Sequence, residues 1–343
     1  MERQRKTLKL GLFFGILFAL GWFTGIGSAT HLLRGPGVTF LPVLTRADGL
    51  SELPAPPPEP PHPATWLAYV NYHRALAMLP PVTESGAWSE GARQHACYMV
   101  QNDYIGHDQL AGAPCASVEG AEAAPKSNIM VSSYMDTPDS AAVDYWMQTP
   151  FHSIAILDPE LGEAGFGSHR AEDGGWQMGA ALDVGHGLKG QIPGNVSFPV
   201  MWPGDGATVH LRAFPGYEWP APLASCPGFG GYETQAGLPI ILQLGSGNVS
   251  PQVTGHSLTE NGAPVEHCVF DETNYTNADT SQQWVGRIIL NVRDAIVIMP
   301  RNPLTPGASY TASVTANGQT HSWSFTVSGE AYIMGTDGEI QIR

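Results

Sequence analysis

TPDSAAVDYWMQTPFHSIAILDPELGEAGFG, residues 137–167, decides the fold class. It opens as a helix. Thr137 is a capping residue, Pro138 suits the first helical position, and Asp139 complements the positive end of the helix dipole. Ala142, Val143 and Trp146 then share one face. After Pro159 the pattern changes. Ala164 to Ser168 is short, glycine-flanked and partly alternating, as strands are, and Trp176 to Val184 has the same character.

Upstream lie two further helical segments. Trp66 to Leu79 places Trp66, Val70 and Ala77 on one face and stops at Pro80-Pro81. Gly86 to about Asn102 repeats Trp88, Ala92, His95 or Ala96, and Met99 every three or four residues. Helices first, with strands between and after them, predict an α+β class or a three-layer α-β-α sandwich.

Downstream, residues 189–236 are rich in Gly and Pro and read as a strand-poor connector. Over residues 237–328 the runs LPIILQL, RIILNV, AIVIMP, SYTASVTA and HSWSFTVS are short, β-branched or aromatic, and separated by turn residues. They predict an all-β sandwich whose last two strands flank the hairpin signal Asn317-Gly318. Residues 329–343 form either a further strand or a loose tail.

Residues 1–29 read as an export segment. Arg3, Arg5, Lys6 and Lys9 precede an apolar run from Leu10 to about Ile26, followed by Gly27, Ser28 and Ala29. A cleaved signal peptide and an uncleaved membrane anchor both fit this pattern. Either one places the rest of the chain outside the cytoplasm. Residues 30–64 contain PAPPPEPPHP, which favours extended polyproline II and acts as a semi-rigid spacer.

Charged residues make up only 14% of the 343 residues, and the net charge is −15. Beyond residue 29, 12 basic side chains face 30 acidic ones, a net −18. Such a body repels phosphate backbones, which excludes nucleic acid as the expected partner. Four cysteines allow three pairings. Cys97 with Cys115 and Cys226 with Cys268 are expected, since each pair falls inside or beside one proposed domain.

No G-x-S-x-G, H-E-x-x-H or phosphate-binding loop occurs. Two of the twelve histidines stand out by context: His107 just after the second helix and His152 just after the third.

VNYHRALAMLPPV at residues 70–82, then Trp88, Ala92, Ala96 and Met99, then Gly106-His107, resemble the first half of a bacterial CAP (SCP-like) domain, the cysteine-rich secretory, antigen 5 and pathogenesis-related family. Asn128-Ile129 continue the pattern, followed by Trp146, Pro150, His152, Ile156, Leu157 and Pro159, and by Glu163, Gly165 and Gly167. The resemblance covers roughly residues 65–188. It implies an α-β-α sandwich with His107 and His152 facing one another across a central cleft. Leu304 to Tyr310 and Trp323 to Thr326 resemble bacterial Ig-like surface modules. Met201-Trp202-Pro203 and Glu218-Trp219-Pro220 look like the connector found in such proteins, and as residues they read as turn and packing positions.

The departures from the family pattern bear on function. Many members place two acids in the cleft, and here Ser127 and Thr149 stand in their places, with Ser153 where an Arg often follows. His107, His152, Ser127, Asn128 and Thr149 are therefore the expected ligand-binding cleft. His107 and His152 are candidate zinc ligands, but two imidazoles fall short of the three or four protein ligands a stable zinc site wants. Asp108 and Glu163 are the nearest acids in sequence. The leading expectation is an exported, non-enzymatic binding protein for a small apolar molecule or a peptide, tied to the membrane if its leading segment stays uncleaved. A metal-assisted hydrolase of peptide or cell-wall material is the enzyme alternative, and a structural or adhesive envelope protein is the third reading.

Overall fold

The computed structural model describes residues 65–334, apart from 173 and 231–233, together with strand residues 340 and 341. These residues belong to one compact unit that begins at Pro56. The export segment and the proline-rich spacer, residues 1–64, lie outside the described residues.

Helix α1 (Trp66–Leu76) starts at Thr65, whose side chain accepts the N–H of Ala68. It ends sooner than the sequence pattern suggests, because Met78 takes a left-handed conformation (φ 57°) before Pro80-Pro81. Strand β1 (Thr83–Glu84), helix α2 (Gly86–Gln101), helix α3 (Val118–Ala123) and strand β2 (Ser127–Ser132) follow. Helix α4 (Asp139–Met147) begins one residue later than predicted. Pro138 occupies the cap, and the Thr137 hydroxyl instead pairs with Ser132. Helix α5 (Pro150–Ile156) is distinct from α4, so His152 lies in the first turn of a short helix and not in a loop after one. Strands β3 (Glu163–Arg170) and β4 (Met178–Asp183) complete a sheet ordered β1-β3-β4-β2.

That sheet is covered on both faces, and strand alternation assigns the faces. On one side Ile129, Val131 and Ala181 pack with Ala92 and Met99 of α2. Gly165 and Gly167 face the same helix. A Cβ on Gly167 would lie 2.2 Å from the backbone nitrogen of Arg93, and one on Gly165 would lie 2.4 Å from that of Ser89. The glycines of the E-x-G-x-G strand thus let α2 approach to backbone contact. On the other side Phe166 stacks on Trp66 at 5.5 Å and meets the edge of Trp146 at 6.3 Å. Met130, Ala180 and Leu182 join that layer. Helix, sheet and helices form the three layers expected from the sequence.

The connector is richer in strands than its composition suggests. It supplies β5 (Val200–Trp202), β6 (Thr208–Leu211), β7 (Ala213–Phe214) and β8 (Ala236–Gly237). Strands β9 (Ile240–Gln243), β10 (Val253–Glu260), β11 (Ala263–Pro264) and β12 (His267–Phe270) follow. After helix α6 (Thr280–Asn291) come β13 (Ala295–Pro300), β14 (Ser309–Ala316), β15 (Gln319–Met334) and β16 (Ile340–Gln341). One sheet runs β12-β13-β9-β5. A second runs β11-β10-β14-β15-β16, with β6 added to β15 in parallel. Residues 329–334 therefore extend β15, and Ile340 and Gln341 pair with it as β16.

One predicted strand is a helix. RIILNV, residues 287–292, belongs to the end of α6. Asp279 caps that helix by accepting the N–H groups of Ser281 and Gln282, and Val285, Gly286 and Leu290 form its buried stripe. A short apolar run satisfies both periods, and the cap eight residues upstream decides between them.

The hydrophobic core is continuous. Trp146, Phe151 and Leu157 belong to the same buried cluster as Phe270, Ile296 and Tyr310. Both expected disulfides are present, Cys97–Cys115 and Cys226–Cys268. Among the described residues no helix is long and apolar enough to cross a membrane.

Candidate functional site

The loop after α2 carries His107 and is tied down along its length. His95 is wholly buried in α2. Its Nε2–H donates to the Gly106 carbonyl at 2.9 Å, and its Nδ1 accepts from the Gln109 amide at 3.2 Å. The Asn102 amide donates to the carbonyls of Tyr98 and Pro114, and the Tyr98 hydroxyl accepts the N–H of Leu110. The Cys97–Cys115 bridge closes the loop onto the helix. His107 itself donates from Nδ1 to the Ala124 carbonyl at 3.0 Å. A carbonyl only accepts, so the proton of neutral His107 sits on Nδ1 and Nε2 keeps its lone pair. The surrounding chain, and the proximity of His152, hold this imidazole below its ordinary value.

His152 has anchors of its own. Arg74 is fully buried in α1, and its guanidinium donates to the carbonyls of Pro80, Ile156, Asp158 and Leu161. Burial lowers it to about 10, which leaves it cationic at neutral pH. This fan of bonds fixes the end of α5. The Asn128 amide donates to the His152 carbonyl at 3.1 Å and so joins β2 to the start of α5. Ser127 is buried and donates to Ala123, beside the carbonyl that holds His107. Thr149 is also buried. It returns its hydroxyl proton to the carbonyls of Tyr145 and Trp146 and leaves its oxygen 3.3 Å from His152 Nδ1. Of the five residues read from the sequence, Asn128 and Thr149 thus contact His152, and Ser127 is held next to the Ala124 carbonyl that binds His107.

The sequence reading missed the sixth. Glu218, from the connector, has a completely buried side chain, and its Oε1 lies 2.7 Å from His152 Nδ1. The same oxygen accepts the backbone N–H of His152 at 2.9 Å. Burial pushes this carboxyl above the ordinary carboxylate range, against the pull of N–H groups from His152 and Phe151. Those N–H groups belong to the first turn of α5, where an acceptor is otherwise lacking. Glu218 lies 66 residues from His152, and no spacing rule links the two. The one available signal was its place in the Glu218-Trp219-Pro220 connector motif, read as a packing turn.

The acids nearest in sequence have other partners. Asp108 accepts the Tyr104 hydroxyl, and Glu163 pairs with Lys189. Among the described residues no three of His, Cys, Asp and Glu lie close enough to hold a metal ion. Glu218 is committed to Nδ1 of His152, so the donor set stays at two imidazoles and does not fit the zinc site considered from sequence.

The site can accept hydrogen bonds. Each imidazole is held through Nδ1, which leaves two Nε2 lone pairs available. The loop that carries His107 also presents Tyr104, Ile105 and Leu110 to solvent.

Comparison with known proteins adds the family. The model of the CAP family, "Cysteine-rich secretory protein family", matches residues 67–178. No curated protein matches the chain. Among solved structures, an extracellular protein containing a SCP domain from Bacillus anthracis str. Ames is similar at 17% identity, with a TM-score of 0.26. The match covers 33% of this chain and 37% of that one, so the chain spans little more than a third of its length. Residues 67–178 are a CAP domain, and the carboxylate that holds its second histidine comes from outside it.

Proposed function

We propose that the chain is an exported CAP-domain protein that binds a small apolar molecule or a peptide in the cleft between His107 and His152. The observation that carries this reading is the pair of Nδ1 anchors, Ala124 for His107 and Glu218 for His152. They turn both imidazoles into fixed acceptors for O–H or N–H donors. Tyr104, Ile105 and Leu110 supply apolar surface on the loop beside them. Two disulfides among the described residues fit an oxidising compartment, and the leading segment supplies the export route. In this reading the C-terminal sheets are an Ig-like module that presents the site.

The test is a titration of the purified chain with a panel of tripeptides and medium-chain fatty alcohols, following the ring signals of both histidines. At least one class is expected to move both sets of signals. His107→Ala and His152→Ala each weaken that ligand by about tenfold, the equivalent of one lost hydrogen bond. A panel that moves neither histidine ends the proposal.

A second reading has one observation in its favour. A buried carboxylate holding Nδ1 of a histidine is the arrangement that orients a general base. Hydrolysis by a water activated at Nε2 of His152 would then be the activity. Peptidase or amidase turnover that disappears in His152→Ala supports it, and equal turnover in both proteins overturns it.

A further inference from the structure

We infer that Glu218 is a positioning residue of the CAP cleft, set in place by the region that follows the CAP domain, so that the cleft is complete only when both parts are folded together. The inference deepens the ligand-site reading above and rests on it for its meaning.

Three observations lead here. The first is substitution in space. The Thr149 hydroxyl oxygen, next to α5 in the chain, reaches His152 Nδ1 at 3.3 Å. Glu218 Oε1 reaches the same nitrogen at 2.7 Å. A carboxylate from beyond residue 178 thus takes the contact that the local residue makes only weakly. The second is commitment. Glu218 has no side-chain exposure and its Oε2 has no hydrogen-bond partner, so the carboxyl is buried at a cost that only its Oε1 contacts offset. Three N–H groups, from Phe151, His152 and the His152 ring, point at it.

The third is how the segment is held. The Tyr145 hydroxyl of α4 donates to the Tyr217 carbonyl at 2.8 Å, which fixes the segment to the CAP domain. On the other side Tyr275, itself buried, donates to the Ala221 carbonyl at 2.9 Å. Gln282 of α6 accepts the Ala221 N–H at 2.9 Å. Residues 217–221 are therefore clamped between α4 and the C-terminal region, with Glu218 inside the clamp. The clamp sets the proton of His152: with a carboxylate on Nδ1 the neutral ring carries its proton there and offers Nε2 outward.

The experiment reads that proton in the full chain by NMR of isotope-labelled histidine. Wild-type His152 is expected as the Nδ1–H tautomer. Glu218→Met removes the acceptor, and the Nδ1–H form should lose about half or more of its population. Glu218→Gln keeps an acceptor oxygen and should retain it. His107, held by Ala124, should not change in either variant. If Glu218→Met does not fold, Tyr275→Phe removes one side of the clamp without touching His152 and should give a smaller loss of the same kind. An unchanged His152 tautomer in the variant that folds overturns the inference, even if stability falls, because Glu218 would then only cap α5. A shifted tautomer with no ligand in the panel would retain this inference and remove the ligand reading. Ligand binding with an unshifted tautomer would do the reverse.

Discussion

Asp158 and Arg293, 135 residues apart in sequence, form an ion pair in which both side chains are almost entirely buried. Asp158 follows α5, and Arg293 follows α6, so the pair joins the CAP domain to the C-terminal region. Burial holds Asp158 above the ordinary carboxylate range in spite of its partner. Breaking such a pair leaves one uncompensated buried charge. Arg293→Met is expected to cost about 3–5 kcal/mol, and Asp158→Leu/Arg293→Met together to recover much of that loss. Urea midpoints of the three proteins check it, and a double variant no better than the single sinks it.

Strand β3 touches α2 through glycine. Gly167→Ala puts a methyl 2.2 Å from the Arg93 nitrogen, and a backbone neighbour cannot swing aside. A loss of about 3 kcal/mol or a failure to fold is expected. Gly86→Ala, at the open start of α2 with nothing within 4 Å, should be neutral or slightly stabilising. Thermal melts of the two variants compare them directly.

Acid should loosen the molecule through its buried histidines. Burial lowers His73 to about 3 and His95 to about 4. Both folded values lie below the ordinary 6.5, so the unfolded chain binds more protons between them. This stability is complete above about pH 6.5 and is lost as pH falls from there toward 3. For His95 the proton would arrive on Nδ1, where Gln109 donates. Asp158 and Glu218, raised by burial, act in the opposite sense. The His73 ring meets Tyr69, Tyr72 and Trp202, and neither of its nitrogens has a hydrogen-bond partner. His73→Phe should therefore be tolerated at pH 7 and should flatten the fall in stability between pH 6.5 and 4. Denaturation at several pH values tests this, and an equally steep fall in the variant contradicts it.

The Cys97–Cys115 bridge spans 18 residues and holds the loop that presents His107. Cys97→Ala/Cys115→Ala should lower stability by about 3 kcal/mol on the chain-entropy account. It should also broaden or shift the His107 ring signals while His152 stays as it was. Histidine signals unchanged at both positions would show that the other loop bonds suffice.

The three-layer part of the fold was legible because its signals are local. Pro138-Asp139 before Ala142, Val143 and Trp146, and the glycines of the E-x-G-x-G strand, constrain a few neighbouring residues whatever surrounds them. His107, Ser127, Asn128, Thr149 and His152 were named through the family resemblance, whose motifs fix their order along the chain. RIILNV was not legible, because six apolar-rich residues fit a strand and a helix equally well. Glu218 was not legible as a cleft residue either. The sequence by itself determined the three helical segments and two strands of the three-layer part, and, through the family resemblance, that Ser127 and Thr149 stand where cleft acids are often found. Only the tertiary structure decided that an acid is present after all, since burying a carboxylate against His152 depends on a clamp made by Tyr145, Tyr275 and Gln282, which no local pattern brings together.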